Sequence, residues 1–154
     1  MAIRNIREQG DPILSKKSRP VTEFDDRLGA LLDDMKDTLY KSEGCGLAAV
    51  QVGVLRRVVV VDCGDGYLEL VNPEIVLTEG TQTESEGCLS VPGLSGVTLR
   101  PARVRVKAQN RNGNWCVYEG TELKARCFCH ELDHLDGILF YEKLAPGERL
   151  KKNN

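Results

Sequence analysis

A chain of 154 residues, 41% hydrophobic and 29% charged, has the size and composition of one folded domain, which excludes global disorder. Lys+Arg 21 against Asp+Glu 23 leaves a net charge of −2, so no basic excess drives binding to phosphate backbones and no specific nucleic-acid binding is expected. No window approaches the roughly 18 to 20 apolar residues of a membrane span, and Met1 to Glu8 lack a signal peptide's apolar core, so a cytoplasmic protein away from the membrane is expected.

The first expected element is short: Asp11 caps and Pro12 opens one turn of helix, which Pro20 bounds. Phe24, Leu28, Leu31, Leu32, Met35 and Leu39 then repeat with helical spacing. They predict an amphipathic helix of about 18 residues, with Thr22 as its cap and Asp25 three residues on. The stretch Gly44 to Gly53 follows, rich in small residues, and reads by default as a tight turn. From Arg56 to about Gly120 the pattern changes to strands. Val58–Val61 and Tyr67–Val71 flank a Gly64-Asp65-Gly66 turn, and Arg103–Ala108 alternates with period two before Asn112-Gly113 turns the chain into Trp115–Tyr118. Thr121 is the expected cap of a second helix that runs to about Asp136 and ends at Gly137. The residues from about 145 are polar and are expected to fray. Strands that follow one another without intervening helices predict an α+β domain over 1–154, with antiparallel sheets packed around the C-terminal helix.

Both histidines of the chain fall in His130-Glu131-Leu132-Asp133-His134 on that second helix. A spacing of four sets two imidazoles one turn apart on one face, where both reach a single metal ion. The intervening Glu131 can then act as general base on a water activated by the ion. Chance produces this arrangement in roughly one sequence in 1,000 of this composition. A solvated helix face with two surface histidines is the alternative.

A catalytic ion needs a third protein ligand. An extended motif with a third His at position 140 is absent, because Phe140 stands there, and the downstream acids Glu142 and Glu148 lie in a turn-rich tail. Six cysteines remain as candidates: Cys45, Cys63, Cys88, Cys116, Cys127 and Cys129. Disulfides are disfavoured in a reducing compartment, so free thiols are expected. Cys129 points about 100° away from His130 around the helix, and Cys127 shares the histidine face one turn back, better placed to line a pocket than to ligate. Of the other four, Cys88 has the most telling setting, in Glu86-Gly87-Cys88-Leu89-Ser90, where Gly87 admits a close backbone approach. A thiolate with two imidazoles suits Zn²⁺, Fe²⁺, Co²⁺ or Ni²⁺. In the Gly44–Gly53 stretch the third-glycine spacing of a dinucleotide fingerprint is missing, while Gln51 can donate to an oxyanion.

Three blocks in this order, Gly44 to Gln51, Glu86 to Ser90 and His130 to His134, resemble the peptide deformylase family over nearly the whole chain. The resemblance implies Cys88, His130 and His134 as metal ligands, Glu131 as catalytic acid–base, and Gln51 with the Leu89 backbone N–H as oxyanion donors. It places Cys45, Gly46 and Gly87 along the substrate backbone and Cys127 in a methionine pocket. It also implies Fe²⁺ as the native ion, N-formylmethionyl nascent peptides as substrate, and transient contact with the ribosome. Departures from the family pattern are Cys45 for an aliphatic residue, Cys129 for Gln, and a short tail after Leu144. The rival functions are an HExxH endopeptidase and a catalytically vestigial metal-binding module.

Overall fold

A computed structural model describes residues 2–153; Met1 and Asn154, the ends of the expected 1–154 domain, lie outside the described residues. Helix α1 spans Asp26–Ser42. Its cap is Asp25, whose extended backbone lets the carboxylate accept the Leu28 N–H at 3.1 Å; the expected cap, Thr22, lies too far upstream to reach the first turn. Pro12–Ser15 forms the expected single turn, as a 3-10 helix capped by Asp11.

Eight strands follow: β1 Gly46–Ala48, β2 Val58–Asp62, β3 Tyr67–Glu79, β4 Gln82–Cys88, β5 Val91–Arg100, β6 Arg103–Gln109, β7 Trp115–Thr121 and β8 Lys151–Lys152. Helix α2, Leu123–Leu135, lies between β7 and β8. All pairings among these strands are antiparallel, in a sheet of order β1-β2-β3-β6-β7 and a second of order β4-β5-β8. The architecture is the α+β one expected.

Strand β2 shows why the core has two halves. Period-two alternation sends Val59 and Val61 to one face of the large sheet and Val58 and Val60 to the other. The first pair packs with Ala125, Phe128 and Leu135 of α2, and the second with Leu28, Leu32, Met35 and Leu39 of α1. A helix thus covers each face of β2, and all four valines are buried. Strand β6 alternates as expected, with Val104, Val106 and Ala108 buried and facing α2.

Beyond the cap of α1, four expectations need correction. The Gly44–Gly53 stretch is not merely a turn: Gly46–Ala48 pairs with Val59–Val61 as the edge strand of the large sheet. Strand β3 continues past Val71 because Asn72, at φ 52°, and Pro73 are absorbed in an irregularity between Val71 and Glu74. Thr121 does not cap α2, since its backbone is held in β7 opposite Arg103; the helix starts after Glu122 with no side-chain cap. The tail does not fray over its described residues. Leu144 fills the space that a Cβ on Gly96 would take, Ala145 donates to Val97 O at 2.9 Å, and β8 pairs with Leu94 and Ser95. Gly137, at φ 77°, ends α2 as expected, its N–H bonded to His134 O.

Candidate active site

Helix α2 is anchored by Ala125, Phe128 and Leu135 in the core, which turns His130, Glu131 and His134 towards the second sheet. The i, i+4 spacing brings the two imidazole Nε2 atoms to 3.2 Å. Cys88 ends β4, where the register shifts between Gly87 and Cys88 and the chain turns back into β5. That turn carries Sγ to 3.3 Å from His134 Nε2. One donor atom from each of Cys88, His130 and His134 lies within 4.8 Å of the others.

The donor set fits a metal ion. Across a tetrahedral angle, two nitrogens at about 2.0 Å from an ion sit about 3.3 Å apart, and a nitrogen and a sulfur at about 2.3 Å sit about 3.5 Å apart, close to the 3.2 Å between the imidazoles and the 3.3 Å from Cys88 to His134. His130 Nδ1 lies 2.6 Å from Glu86 Oε1, so its proton goes to the carboxylate and the Nε2 lone pair is left for an ion. Burial, with His130 alongside, pushes His134 well below the usual imidazole range and keeps it neutral. Its Nδ1 meets no protein partner, so the ring has no hydrogen bond behind it comparable to the one Glu86 gives His130.

A network of charges supports His130 from behind. Arg100, from β5, donates through Nη2 to Glu86 Oε1 at 2.7 Å and through Nη1 to Asp133 Oδ2 at 2.5 Å. Thr98 donates to the other Glu86 oxygen. Burial raises the Glu86 carboxyl, but the His130 N–H and the Arg100 guanidinium outweigh it and hold the group at about 2. Phe140 stacks on His130, ring centroids 6.1 Å apart, at the position where the extended motif would need a third histidine. Glu142 is spent on the Leu139 N–H and is exposed, away from the site.

Glu131 is 4% exposed, and its Oε1 has no hydrogen-bond partner in the protein. Desolvation pushes its carboxyl up to about 7. Buried carboxylate oxygens are ordinarily satisfied, so this one marks a group kept open for a reacting proton. Gln51 follows β1 in a 3-10 turn over Ala49–Val52. Its Oε1 accepts the Ala48 N–H at 2.9 Å, which aims the amide nitrogen at Ser90 Oγ, 3.0 Å away, and towards Cys88 Sγ at 3.8 Å.

These groups border a cavity of about 400 Å³ between β1, β4 and α2. Of the ten residues expected at the site, nine line it, including Cys45, Gly46, Gly87, Leu89 and Cys127; His134 sits behind the wall, fully buried. Gly46 is required there, because a Cβ would fall 2.7 Å from Glu131 Cγ and 2.9 Å from Cys127 Sγ. The cysteines form no disulfide; Cys127 and Cys129 are buried and Cys45 is exposed.

Sequence reasoning missed Glu86, Arg100, Asp133, Ser90 and Arg126. Two of these carried a usable signal. Glu86 is two residues before Cys88, on the same face of a strand, and Asp133 is three after His130, on the same face of a helix. Arg100 carried none.

The model of the family described as polypeptide deformylase matches residues 3–150. A peptide deformylase of Acetivibrio thermocellus is 59% identical over 144 residues, covering 94% of this chain and 85% of the relative. The crystal structure of peptide deformylase from Thermotoga maritima superposes with a TM-score of 0.91 at 41% identity, covering 94% of this chain and 99% of that one. A peptide deformylase structure from Legionella pneumophila gives 0.90 at 43% identity, with 94% and 87% covered.

Proposed function

We propose, from the premise that this chain belongs to the polypeptide deformylase family, how its residues divide the work of removing the formyl group. The reaction is hydrolysis of the N-formyl group of a formylmethionyl peptide, giving formate and a free amine. Residues 1–154 act as one catalytic unit. The observation that carries the assignment is Glu131, buried and without a partner for Oε1, beside the Cys88, His130 and His134 donors.

Cys88 Sγ and the Nε2 atoms of His130 and His134 would hold one divalent ion, Fe²⁺ in the native protein, and the ion would supply Lewis acidity to the hydrolysis. Glu131 takes the proton of the attacking water and returns it to the departing amine nitrogen. Gln51 Nε2 and the Leu89 N–H donate to the oxygen of the formyl carbon as charge grows on it. Cys45, Gly46 and Gly87 bound the peptide backbone, and Cys127 borders the methionine side chain. A formyl carbon bears only hydrogen, so a close-fitting wall admits it and rejects an acetyl methyl. In the cell, the substrates are nascent chains in the cytoplasm, met in transient contact with the ribosome.

The test is metal-loaded protein with formyl-Met-Ala and acetyl-Met-Ala. Formate release from the first, at least about 100-fold faster than acetate release from the second, is expected. Equal turnover, or none of the formyl peptide, rejects the assignment. Chelation should abolish turnover, and an added divalent ion should restore it. Casein cleavage would instead indicate an endopeptidase.

Gly46→Ala tests the crowded wall. The new Cβ meets Glu131 Oε2 at 2.8 Å as well as Cγ, so the carboxylate must move. A displacement near 1 Å in a reacting group costs about 10² in rate, so kcat/KM should fall about 100-fold while circular dichroism stays that of the parent.

A further inference from the structure

We infer that Arg126 makes this site selective for formylated chains with an acidic side chain within two residues after the methionine, an inference that rests on the deformylase reading above. Arg126 lines the cavity and, unlike its neighbours, has only neutral acceptors. Its Nε donates to Gln82 Oε1 and its Nη1 to the Ser85 carbonyl, each at 3.0 Å. Lys124 is paired with Asp65, and Arg100 with Glu86 and Asp133. Among the described residues no carboxylate comes within ion-pair distance of Arg126.

The other charges of the cavity wall are Glu86 and Glu131. Glu86 is neutralised by Arg100 and turned into the network behind His130, and Glu131 is buried at the reacting end. An arriving peptide therefore meets one uncompensated charge on the wall, and it is positive. Glu43, Glu84 and Glu122 are exposed acids beside the lining residues Gly44, Ser85 and Leu123, none of them ion-paired with Arg126; Glu43 serves as a control.

Position fixes which substrate residue meets the cation. Arg126 lies four residues before His130, about one helical turn or 6 Å. Its guanidinium is tied to Ser85, two residues before Gly87 along β4, or about 6.6 Å. An extended peptide running along Gly87 with its formyl group at Cys88 covers that distance in two residues. The two hydrogen bonds hold Arg126 in place, so little side-chain freedom is lost when a carboxylate arrives.

The experiment compares formyl-Met-Ala-Asp-amide, formyl-Met-Ala-Ser-amide and formyl-Met-Ala-Lys-amide, with the series repeated at the residue directly after methionine. Amidated ends remove the stray carboxylate. With metal-loaded protein at low salt, kcat/KM for the Asp peptide should exceed that for the Lys peptide about five- to tenfold, with Ser between, and the ratio should shrink in 0.5 M salt. Arg126→Gln should bring the ratio to within about twofold of one, by lowering the Asp peptide and raising the Lys peptide relative to the Ser peptide. Arg126→Lys should retain most of the preference, and Glu43→Gln should leave it intact. A parent ratio near one, a ratio that survives Arg126→Gln, or a variant that slows all three peptides equally overturns the inference. Failure of the parent protein to turn over even the Ser peptide would strike the deformylase reading instead.

Discussion

Glu131→Gln is expected to lower kcat/KM by about 10² to 10⁴ while the protein keeps its full complement of metal. The amide has nearly the same shape but cannot take a proton, and none of the three ligands is altered. Because the loss falls on the proton-transfer step, kcat should drop and KM should hardly change. Metal analysis and steady-state kinetics on one preparation check both halves; retained turnover would remove Glu131 from the mechanism. The same variant has a stability signature. In the ion-free protein, burial raises the Glu131 carboxyl to about 7, against about 4.3 for an exposed glutamate. The folded state therefore keeps a proton that the unfolded chain gives up above about pH 4.3. Stability falls as pH rises from there to about 7, by about 4 kcal/mol in all, and changes no further. A glutamine has no such cost. Urea unfolding of the ion-free proteins should show the two equal near pH 4 and the variant ahead by that margin at pH 8. A group that weakens the fold and is present nonetheless is what catalysis in a dry cavity requires.

What the sequence made legible follows the range of the interactions involved. The two imidazoles and Glu131 could be placed together because four residues of helix fix their geometry without help from the rest of the chain. The helical stripe of α1 and the alternation of β6 were equally local. Cys88 was harder. Its setting between Gly87 and Ser90 hinted at a close approach, but only the pairing of β4 with β5 brings its sulfur to the histidines. The strands β4 and β5 themselves were obscured by Gly87, Gly93, Gly96 and Pro92, which break the alternation that a half-buried strand should show. Gly96 is where Leu144 comes close, and Gly93 holds a positive φ of 80°. The fate of the tail was hidden for the same reason, since its partners are the backbone groups of β5 some fifty residues away in sequence. Arg100 is the limiting case. An arginine at the end of a strand reads as a surface residue, and only tertiary structure encloses it between two carboxylates.

That enclosed arginine carries the second large effect. Glu86 and Arg100 are 8% and 4% exposed, and each has given up its hydration for the other. Arg100→Leu leaves the Glu86 carboxylate buried with its guanidinium gone and Asp133 unpaired, which should cost about 3 to 5 kcal/mol in urea unfolding. Glu86→Ala should cost a similar amount by stranding Arg100, and it also removes the acceptor that orients His130. Outer partners of a ligating histidine are typically worth 10- to 100-fold in metal affinity, so this variant should lose its ion correspondingly faster to a competing chelator. The double variant separates the two roles. If the pair is mainly mutual compensation, its stability loss will be well short of the sum of the singles, while the loss of metal affinity stays at the level of Glu86→Ala. Acid gives an independent check. The folded-state Glu86 titrates at about 2 against about 4.3 when unfolded, so its contribution, about 3 kcal/mol, is complete above pH 4.3 and is lost as pH falls towards 2. The gap between parent and Glu86→Ala should narrow over that interval and no other. A gap that does not depend on pH would mean that the ion pair is incidental and that packing alone holds His130 towards Cys88.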